Sequence, residues 1–528
     1  SRLPGKRGLK RMKIGTFHSI CYRMLKETGL KAVLLQESEQ LEIAEEVICE
    51  LGLKQKPSQL LEEISRQKTG ERVVCEDGAD GLEQACRRYQ ERLEELNGMD
   101  YDDILLKAVK ALEEGKMDEK PFRYLLVDEF QDVSSLQYRL IRLMNRRGRQ
   151  LFVIGDPDQS IYGFRGSDSR IFERLLRDEP ELCRIRLEEN YRSSGHIVHA
   201  ARELIRHNPG PERGLWTRKE AGTPLRLVSA ASEMSEAIFA AKEINRMVGG
   251  IDMLDAQEGF GPSEEKKTRS FGDIAVIYRT HRQGELLERC LCQEGIPYIV
   301  AGREEFLQAD SVRGSLSFFS CLAGEESQLT RPLCRKLLWK DREPEDGEWE
   351  QLTAEFLPLY QKQKPGKFLE AWVRRMGFQE DGPMEKFCSM APFYRTMKEM
   401  AEAVRYGGES DLKRCGQKTY ASDAVTLTTI HGAKGLEFPA VILFGARKGL
   451  IPLETKRGET DEEEERRLFF VGVTRAMEEL VITSSKEPSV FLAELPKEDR
   501  LSEQTGRREK KGQEHQMSLF ELDPSFGK

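Results

Sequence analysis

The chain has 528 residues, 38% of them hydrophobic and 33% charged, a length that predicts two to four domains rather than one core. No apolar run approaches the roughly 20 residues of a membrane span, and no secretory leader pattern opens the sequence. Lys+Arg 83 against Asp+Glu 91 gives a net charge of −8; no overall cationic field marks a polyanion partner, although such binding follows the placement of charges and not their sum.

In chain order, the opening carries Arg2, Lys6, Arg7, Lys10, Arg11 and Lys13 with no acid among them. It reads as a solvated connector, with phosphate contact as the sharper alternative. Residues 36–118 interleave charges with Leu, Ile and Ala at helical spacing and predict a wholly helical segment. Tyr124–Val127 and residues 151–154 are short apolar runs followed by turns, predicting strands buried on both faces of a parallel α/β sheet. Ile274–Tyr278, residues 440–444 and residues 480–483 predict the same in a second core. Residues 249–270 read as a solvated loop. Residues 301–415 read as a second helical insertion, and from about residue 494 the apolar content collapses, which predicts disorder. The eleven cysteines are scattered. Only Cys290 and Cys292 lie close, without a second pair or histidines at zinc spacing, so free thiols in a reducing cytoplasm are expected.

Two loops carry chemistry. Asp128-Glu129-Phe130-Gln131-Asp132 follows the run Tyr124–Val127 directly, placing two acids at the carboxyl end of a strand, where α/β folds bind ligands. One acid can hold a Mg²⁺ bridging nucleotide phosphates while its neighbour orients or deprotonates water; the plainer alternative is acids capping the next helix. The second loop, residues 155–166, offers Gln159 as an amide for a phosphate or its water. Its Tyr162 and Phe164 alternate with glycines beside Arg165, suited to stacking unpaired bases, with ordinary core aromatics as the alternative.

These loops belong to an ordered set. Gly15-Thr16-Phe17-His18-Ser19, the two loops above, Leu187-Glu188-Glu189-Asn190-Tyr191-Arg192-Ser193-Ser194, Tyr278-Arg279-Thr280, Thr429-Ile430-His431-Gly432-Ala433-Lys434-Gly435-Leu436-Glu437-Phe438 and Val471-Gly472-Val473-Thr474-Arg475-Ala476 follow one another. In that order they resemble the UvrD/Rep/PcrA group of superfamily 1 DNA helicases. The resemblance spans about residues 14–485.

The resemblance implies an α/β fold of two RecA-like parallel-sheet domains of the P-loop NTPase type, with helical insertions. The first RecA-like domain, incomplete, takes residues 1–35 and 119–193, interrupted by insertion 36–118. The second takes 194–300 and 416–490, interrupted by insertion 301–415, which is short for the family; 491–528 is a disordered tail. The implied cofactors are ATP and Mg²⁺. By the same resemblance Asp128 binds the metal, Glu129 is the general base, Gln159 couples the γ-phosphate to the DNA surface, and Arg192 and Arg475 are arginine fingers. Tyr191 stacks on adenine, with Gly435 and Glu437 beside the nucleotide. Thr16, Phe17, His18, Tyr162, Phe164, Arg279 and His431 face single-stranded DNA and its duplex junctions. Phe164 stands where many relatives carry Trp, which keeps a π-face but loses area. The expected activity is that of an ATP-dependent 3′→5′ DNA helicase of repair or replication, cytoplasmic and without a membrane partner. The alternative is a non-catalytic DNA-binding or clamp-tethered scaffold.

One family element is missing from the sequence. No Gly-Lys pair (Gly5-Lys6, Gly115-Lys116, Gly366-Lys367, Gly527-Lys528) is followed by Ser or Thr, so there is no G-x-x-x-x-G-K-[ST] loop to cradle phosphates. With a first residue that is not Met, this predicts the downstream part of a longer protein, inactive towards ATP as it stands. In the tail, Gln516-Met517-Ser518-Leu519-Phe520 resembles the bacterial sliding-clamp peptide, with Leu519 and Phe520 as pocket anchors and Gln516 setting register.

Overall fold

The computed structural model describes residues 12–505 except 70–78, 118–121, 147–149, 164, 165, 169, 211, 212, 250–267, 303, 341, 343–346, 407–411, 417–422 and 455–459. Two short parallel pairs belong to the first half: β1 (Val33–Leu34) with β2 (Gly98–Met99), and β3 (Tyr124–Val127) with β4 (Gln150–Val153). The second half holds β5 (Leu225–Ala230), β6 (Ile274–Tyr278), β7 (Tyr298–Ala301), β8 (Lys413–Cys415), β9 (Val425–Thr429), β10 (Phe438–Phe444), β11 (Ala476–Ser485) and β12 (Arg500–Gln504). They form one sheet in the order β12-β5-β11-β10-β6-β9-β7-β8, parallel except between β7 and β8.

The continuous apolar runs of β6, β10 and β11 follow from burial on both faces. Along β10, Val441 and Leu443 enter a core shared with helices Gly195–Ile205 and Glu462–Val473. Ala440, Ile442 and Phe444 alternate into the opposite core, against helices Glu233–Met247 and His281–Gln293.

The first lobe departs from that pattern. Leu125, Val127, Leu151 and Val153 pack against Phe130, Tyr138, Ile141 and Ile171, but the other face of β3–β4 is bare. Leu126 is 68% exposed and Phe152 53%, with Tyr124 and Ile154 also exposed. The expectation that both strands are buried on both faces is therefore corrected: among the described residues, nothing covers one face.

Both insertions form their own cores, one around Ile43, Val47, Leu60, Tyr89 and Leu93, the other around Phe318, Phe319, Phe356, Phe368 and Trp372. Neither is wholly helical, since β2 lies in the first and β8 in the second. The two meet. Leu329 of the second sits in the core of the first. Glu39, buried, closes the capping box of helix Glu37–Leu51 by accepting from Gln36 N at 2.8 Å, and also accepts the hydroxyls of Ser327 and Thr330. Lys336 Nζ lies 2.9 Å from both Glu42 and Glu45.

Over residues 491–505 the expectation of disorder is corrected: helix Phe491–Glu494 and β12 form there, with β12 parallel to β5, while residues 506–528 lie outside the described residues. Buried Asp499 lies between His196 Nδ1 at 2.8 Å and His199 Nδ1 at 2.5 Å, and Arg226 pairs with Glu503 at 2.7 Å. The ten described cysteines are free thiols, and no described helix is long and apolar enough to cross a membrane.

Candidate active site

The site lies at the seam of the two lobes and is built from the ends of strands. Past the end of β3, Glu129 adopts φ +51°, ψ +43°, a left-handed conformation that turns the chain into the short turn Phe130–Asp132. Its carboxylate accepts from Gln131 Nε2, while Asp128 Oδ1 accepts from Glu129 N at 3.0 Å. The loop after β4 is tied to this turn: Phe130 N donates to Ile154 O at 2.9 Å and Asp156 N to Gln131 Oε1 at 3.0 Å. Only glycine fits at 155, since a Cβ there would stand 2.2 Å from Gln131 Oε1 and 2.9 Å from the Phe130 nitrogen.

From Asp156 the contacts run on into the second lobe. Asp156 Oδ2 accepts from Gln159 Nε2 at 2.8 Å, and Gln159 Oε1 accepts from Arg475 Nη2 at 3.4 Å. Glu129, Gln131, Asp156, Gln159 and Arg475 thus form an unbroken polar path across the seam. Arg475 stands just before β11 and is 1% exposed. Its guanidinium donates to Val471 O, Leu436 O and Thr474 Oγ1, and no described carboxylate forms an ion pair with it. Burial, with the neighbouring Arg192 charge, pushes its pKa down to about 10, against the pull of Asp156, Glu129 and Glu437. A desolvated cation without a counter-charge is costly in a closed fold and suits a site that receives an anion.

Arg192 holds the other side. Its Nε donates to Glu437 at 2.5 Å and its Nη1 to Thr474 O at 3.4 Å, while Asn190 Oδ1 fixes the turn by accepting from the nitrogens of Arg192 and Ser193. Gly435, at φ +79°, turns the chain between Lys434 and Glu437. Tyr191 is exposed, its hydroxyl bonded to Glu189 at 2.8 Å. The residues fit a Mg²⁺–nucleotide: one or two carboxylates at a strand end are what Mg²⁺ takes from a protein when phosphates supply the rest, and Asp128 and Glu129 provide them. A lysine-bearing phosphate loop is not among the 528 residues.

The residues expected to face DNA are dispersed. Thr16 caps helix Phe17–Glu27. His18 meets Tyr101 edge-to-face at 5.6 Å, and burial pushes its pKa down to about 4. Tyr162 crosses the seam, with its hydroxyl on His431 O at 3.4 Å and its ring 6.1 Å from that of His431. Arg279 is turned inward onto Glu465 at 2.8 Å, so it is not presented to an open surface. Phe164, Gln516, Leu519 and Phe520 lie outside the described residues.

Lys434 and Asp132 stand in the sequence motifs without an evident role. Lys434 Nζ, 5.0 Å from the Tyr162 ring centroid, binds Asp132 at 2.5 Å and Gln159 O at 2.8 Å, joining both first-lobe loops to the second lobe. Arg467 Nε donates to Ser160 O at 2.8 Å, and Gly163 N donates to Glu464 at 3.0 Å. Helical spacing alone gave no sign that the helix Glu462–Val473 would serve as the opposing wall.

Comparison with known proteins identifies the family. The model of the UvrD/REP helicase N-terminal domain matches residues 1–180, and that of the UvrD-like helicase C-terminal domain matches residues 185–340 and 380–487. The chain is 29% identical to the ATP-dependent DNA helicase Rep of Escherichia coli, covering 98% of this chain and 88% of that protein. It is 26% identical to the ATP-dependent DNA helicase PcrA of Staphylococcus epidermidis, covering 94% and 77%. The solved C-terminal domain of a possible DNA helicase from Lactobacillus plantarum overlays with a TM-score of 0.25 at 14% identity, covering 59% of this chain and 98% of that one; so weak a likeness carries no argument.

Proposed function

Because the chain belongs to the UvrD/Rep helicase family, we propose that it is the ATP-driven motor of a helicase that moves 3′→5′ on single-stranded DNA. It would open duplexes at single-strand junctions during cytoplasmic DNA repair or replication. The observation that carries this reading is the polar path from Glu129 to Arg475, which links a strand-end carboxylate to a buried, unpaired guanidinium on the opposing lobe.

In this reading Asp128 would hold Mg²⁺, which would supply neutralisation of phosphate charge. Glu129 takes the proton of the attacking water. Arg475 and Arg192 spread transition-state charge over the phosphoryl oxygens, the task for which a planar, permanently charged fork is suited. Arg192, paired with Glu437 in this structure, would exchange that carboxylate for phosphate, leaving Glu437 for the sugar. Gln159, bonded to both lobes, reports that exchange to the loop bearing Tyr162, while Lys434 holds that loop to Asp132. Thr16, Phe17, His18, Tyr162, Phe164 and His431 grip the strand by phosphate contacts and stacking, without reading its sequence, and Arg279 joins them only on leaving Glu465 for a phosphate. Gln516, Leu519 and Phe520 dock on a sliding clamp.

Residues 1–528 by themselves are expected to bind single-stranded DNA but not to turn over ATP, because no lysine or backbone cradle grips the β- and γ-phosphates. Two measurements test this. Fluorescence anisotropy with a 3′-tailed duplex should show salt-sensitive binding that Tyr162→Ala weakens by about tenfold; no binding at low salt would sink the DNA reading. DNA-stimulated phosphate release that disappears in Glu129→Gln would refute the inactivity. Clamp pull-down should be lost in Leu519→Ala/Phe520→Ala; undiminished capture would dispose of the tail's role.

A further inference from the structure

The loop after β4 belongs to the first lobe by its place in the chain and to the second by its contacts. Asp156 opens it by accepting from Asp158 N at 3.0 Å, which sets the short turn Pro157–Gln159. Just past the turn, Ile161 is fully buried in the core that helices Gly195–Ile205 and Glu462–Val473 share, and Tyr162 packs against that core. The second lobe also takes up the polar groups of the loop: Lys434 and Arg475 bond Gln159, Arg467 bonds Ser160 O, and Glu464 bonds Gly163 N. Towards the first lobe, Asp156 N and Ser160 Oγ donate to Gln131, at 3.0 Å and 3.2 Å.

The residue that completes this mooring stands outside the motifs quoted above. Arg213 grips Asp158 with two parallel bonds, Nε to Oδ2 at 3.0 Å and Nη2 to Oδ1 at 2.8 Å. The two side chains are 16% and 20% exposed, so this is not a solvated surface pair of little consequence. Arg213 also donates from Nη1 to Asn208 O at 3.1 Å and from Nη2 to Pro209 O at 3.4 Å. Asn208, itself buried, donates to Glu463 O at 2.9 Å and accepts from Arg466 Nη1 at 2.7 Å. A bidentate guanidinium–carboxylate pair fixes orientation as well as distance. The position of Asp158 is thereby set from the helix Glu462–Val473, the same helix that leads to Arg475. Gly166, at φ +83°, turns the chain again, and Ser167 returns to the first lobe by a bridge to Ser134.

We propose that Arg213 is a positioning residue for the strand-gripping loop: by holding Asp158 it keeps Gln159 within reach of Arg475 and Tyr162 docked, so that the loop travels with the second lobe although its chain issues from the first. This rests on the DNA reading above. Because the bonds of Arg213 run to Asp158 and to two carbonyls of its own lobe, it acts through the loop and not on a phosphate.

Fluorescence anisotropy of the 528-residue protein on a 3′-tailed duplex tests this. Arg213→Ala should weaken binding by about fivefold. Asp158→Asn, which leaves Arg213 on the two carbonyls and so spares the fold, should weaken it alike. The double variant should be no weaker than either, and neither change should add to Tyr162→Ala. The slope of log affinity against log salt should stay that of the parent, whereas loss of a phosphate contact lowers it by about 1. Hydrogen exchange should quicken at residues 157–163 while the eight-stranded sheet keeps its protection. Undiminished affinity in both variants, with Tyr162→Ala still weakening it, overturns the proposal and leaves the DNA reading standing. So does a weakening that adds to that of Tyr162→Ala, or a slope lowered by about 1, which makes Arg213 a direct phosphate ligand. No binding by the parent protein at low salt overturns both.

Discussion

A glutamate in the left-handed region, such as Glu129, costs about 1–2 kcal/mol relative to an ordinary conformation. The fold holds it there through the Gln131 and Phe130 contacts, which depend on the close approach at Gly155. Gly155→Ala should therefore destabilise the first lobe by about 1–3 kcal/mol, read as a lower urea midpoint; an unchanged midpoint would mean that the two loops are not braced on each other. His18 has a pH signature. Burial lowers its pKa from 6.5 to about 4, so its contribution is complete above pH 6.5 and is lost as pH falls through 4, by at most about 3 kcal/mol. Asp102 runs the other way: burial raises its carboxyl from 3.8 to about 6, so its contribution is present below pH 3.8 and lost as pH rises through 6. His18→Asn should remove the acid-side loss and leave the Asp102 gain visible; the same acid loss in variant and parent would contradict the burial argument.

Among the elements, the turn carrying Asp132 and the loop carrying Lys434 form the main strut between the lobes. Burial raises the pKa of Asp132, and Lys434 opposes that rise. Lys434→Met strands a desolvated acid and should cost about 3 kcal/mol, most of which Asp132→Asn in the same chain restores. Calorimetry should show the single variant melting in two steps; strictly additive effects would argue against the strut. At the meeting of the insertions, Leu329→Ala should cost about 2–4 kcal/mol and speed hydrogen exchange in the helix Glu37–Leu51, leaving the eight-stranded sheet unchanged. What was legible in the sequence follows from burial. β6, β10 and β11 announced themselves as continuous apolar runs, whereas β12, an edge strand reading Arg-Leu-Ser-Glu-Gln, has one apolar residue and resembles a loop. Glu129 and Arg475 were legible as parts of motifs, but the path joining them was not. Gln131 and Asp156 meet only after β3 and β4 pair, and Arg213 and Asp158 only once the two lobes come together. Arg279 was legible as a motif residue, but a conspicuous arginine after a strand gives no sign that Glu465 will pair with it.

At the scale of the molecule, the bare face of β3–β4 is the largest departure from what a parallel sheet requires. Tyr124, Leu126, Phe152 and Ile154 lie there in the open, and Ile185 and Leu187, in the segment before Tyr191, are 74% and 88% exposed. Such a patch favours self-association. Leu126→Lys/Phe152→Lys should shift sedimentation towards monomer without lowering the melting temperature; a lower melting temperature would mean that the face is already covered. The direction of β12 has a different consequence. Because it runs parallel to β5, β11, β10, β6 and β9, the chain leaves the sheet on the edge where Arg279 and His431 stand, away from Glu437 and Arg475. Traction applied through residues beyond Thr505 along the strand axis loads all the β5–β12 hydrogen bonds together, as in a lap joint, whereas a sideways pull opens them one by one. A body moored to that end would stand beside Arg279 and His431 and leave the cleft at Arg475 unobstructed.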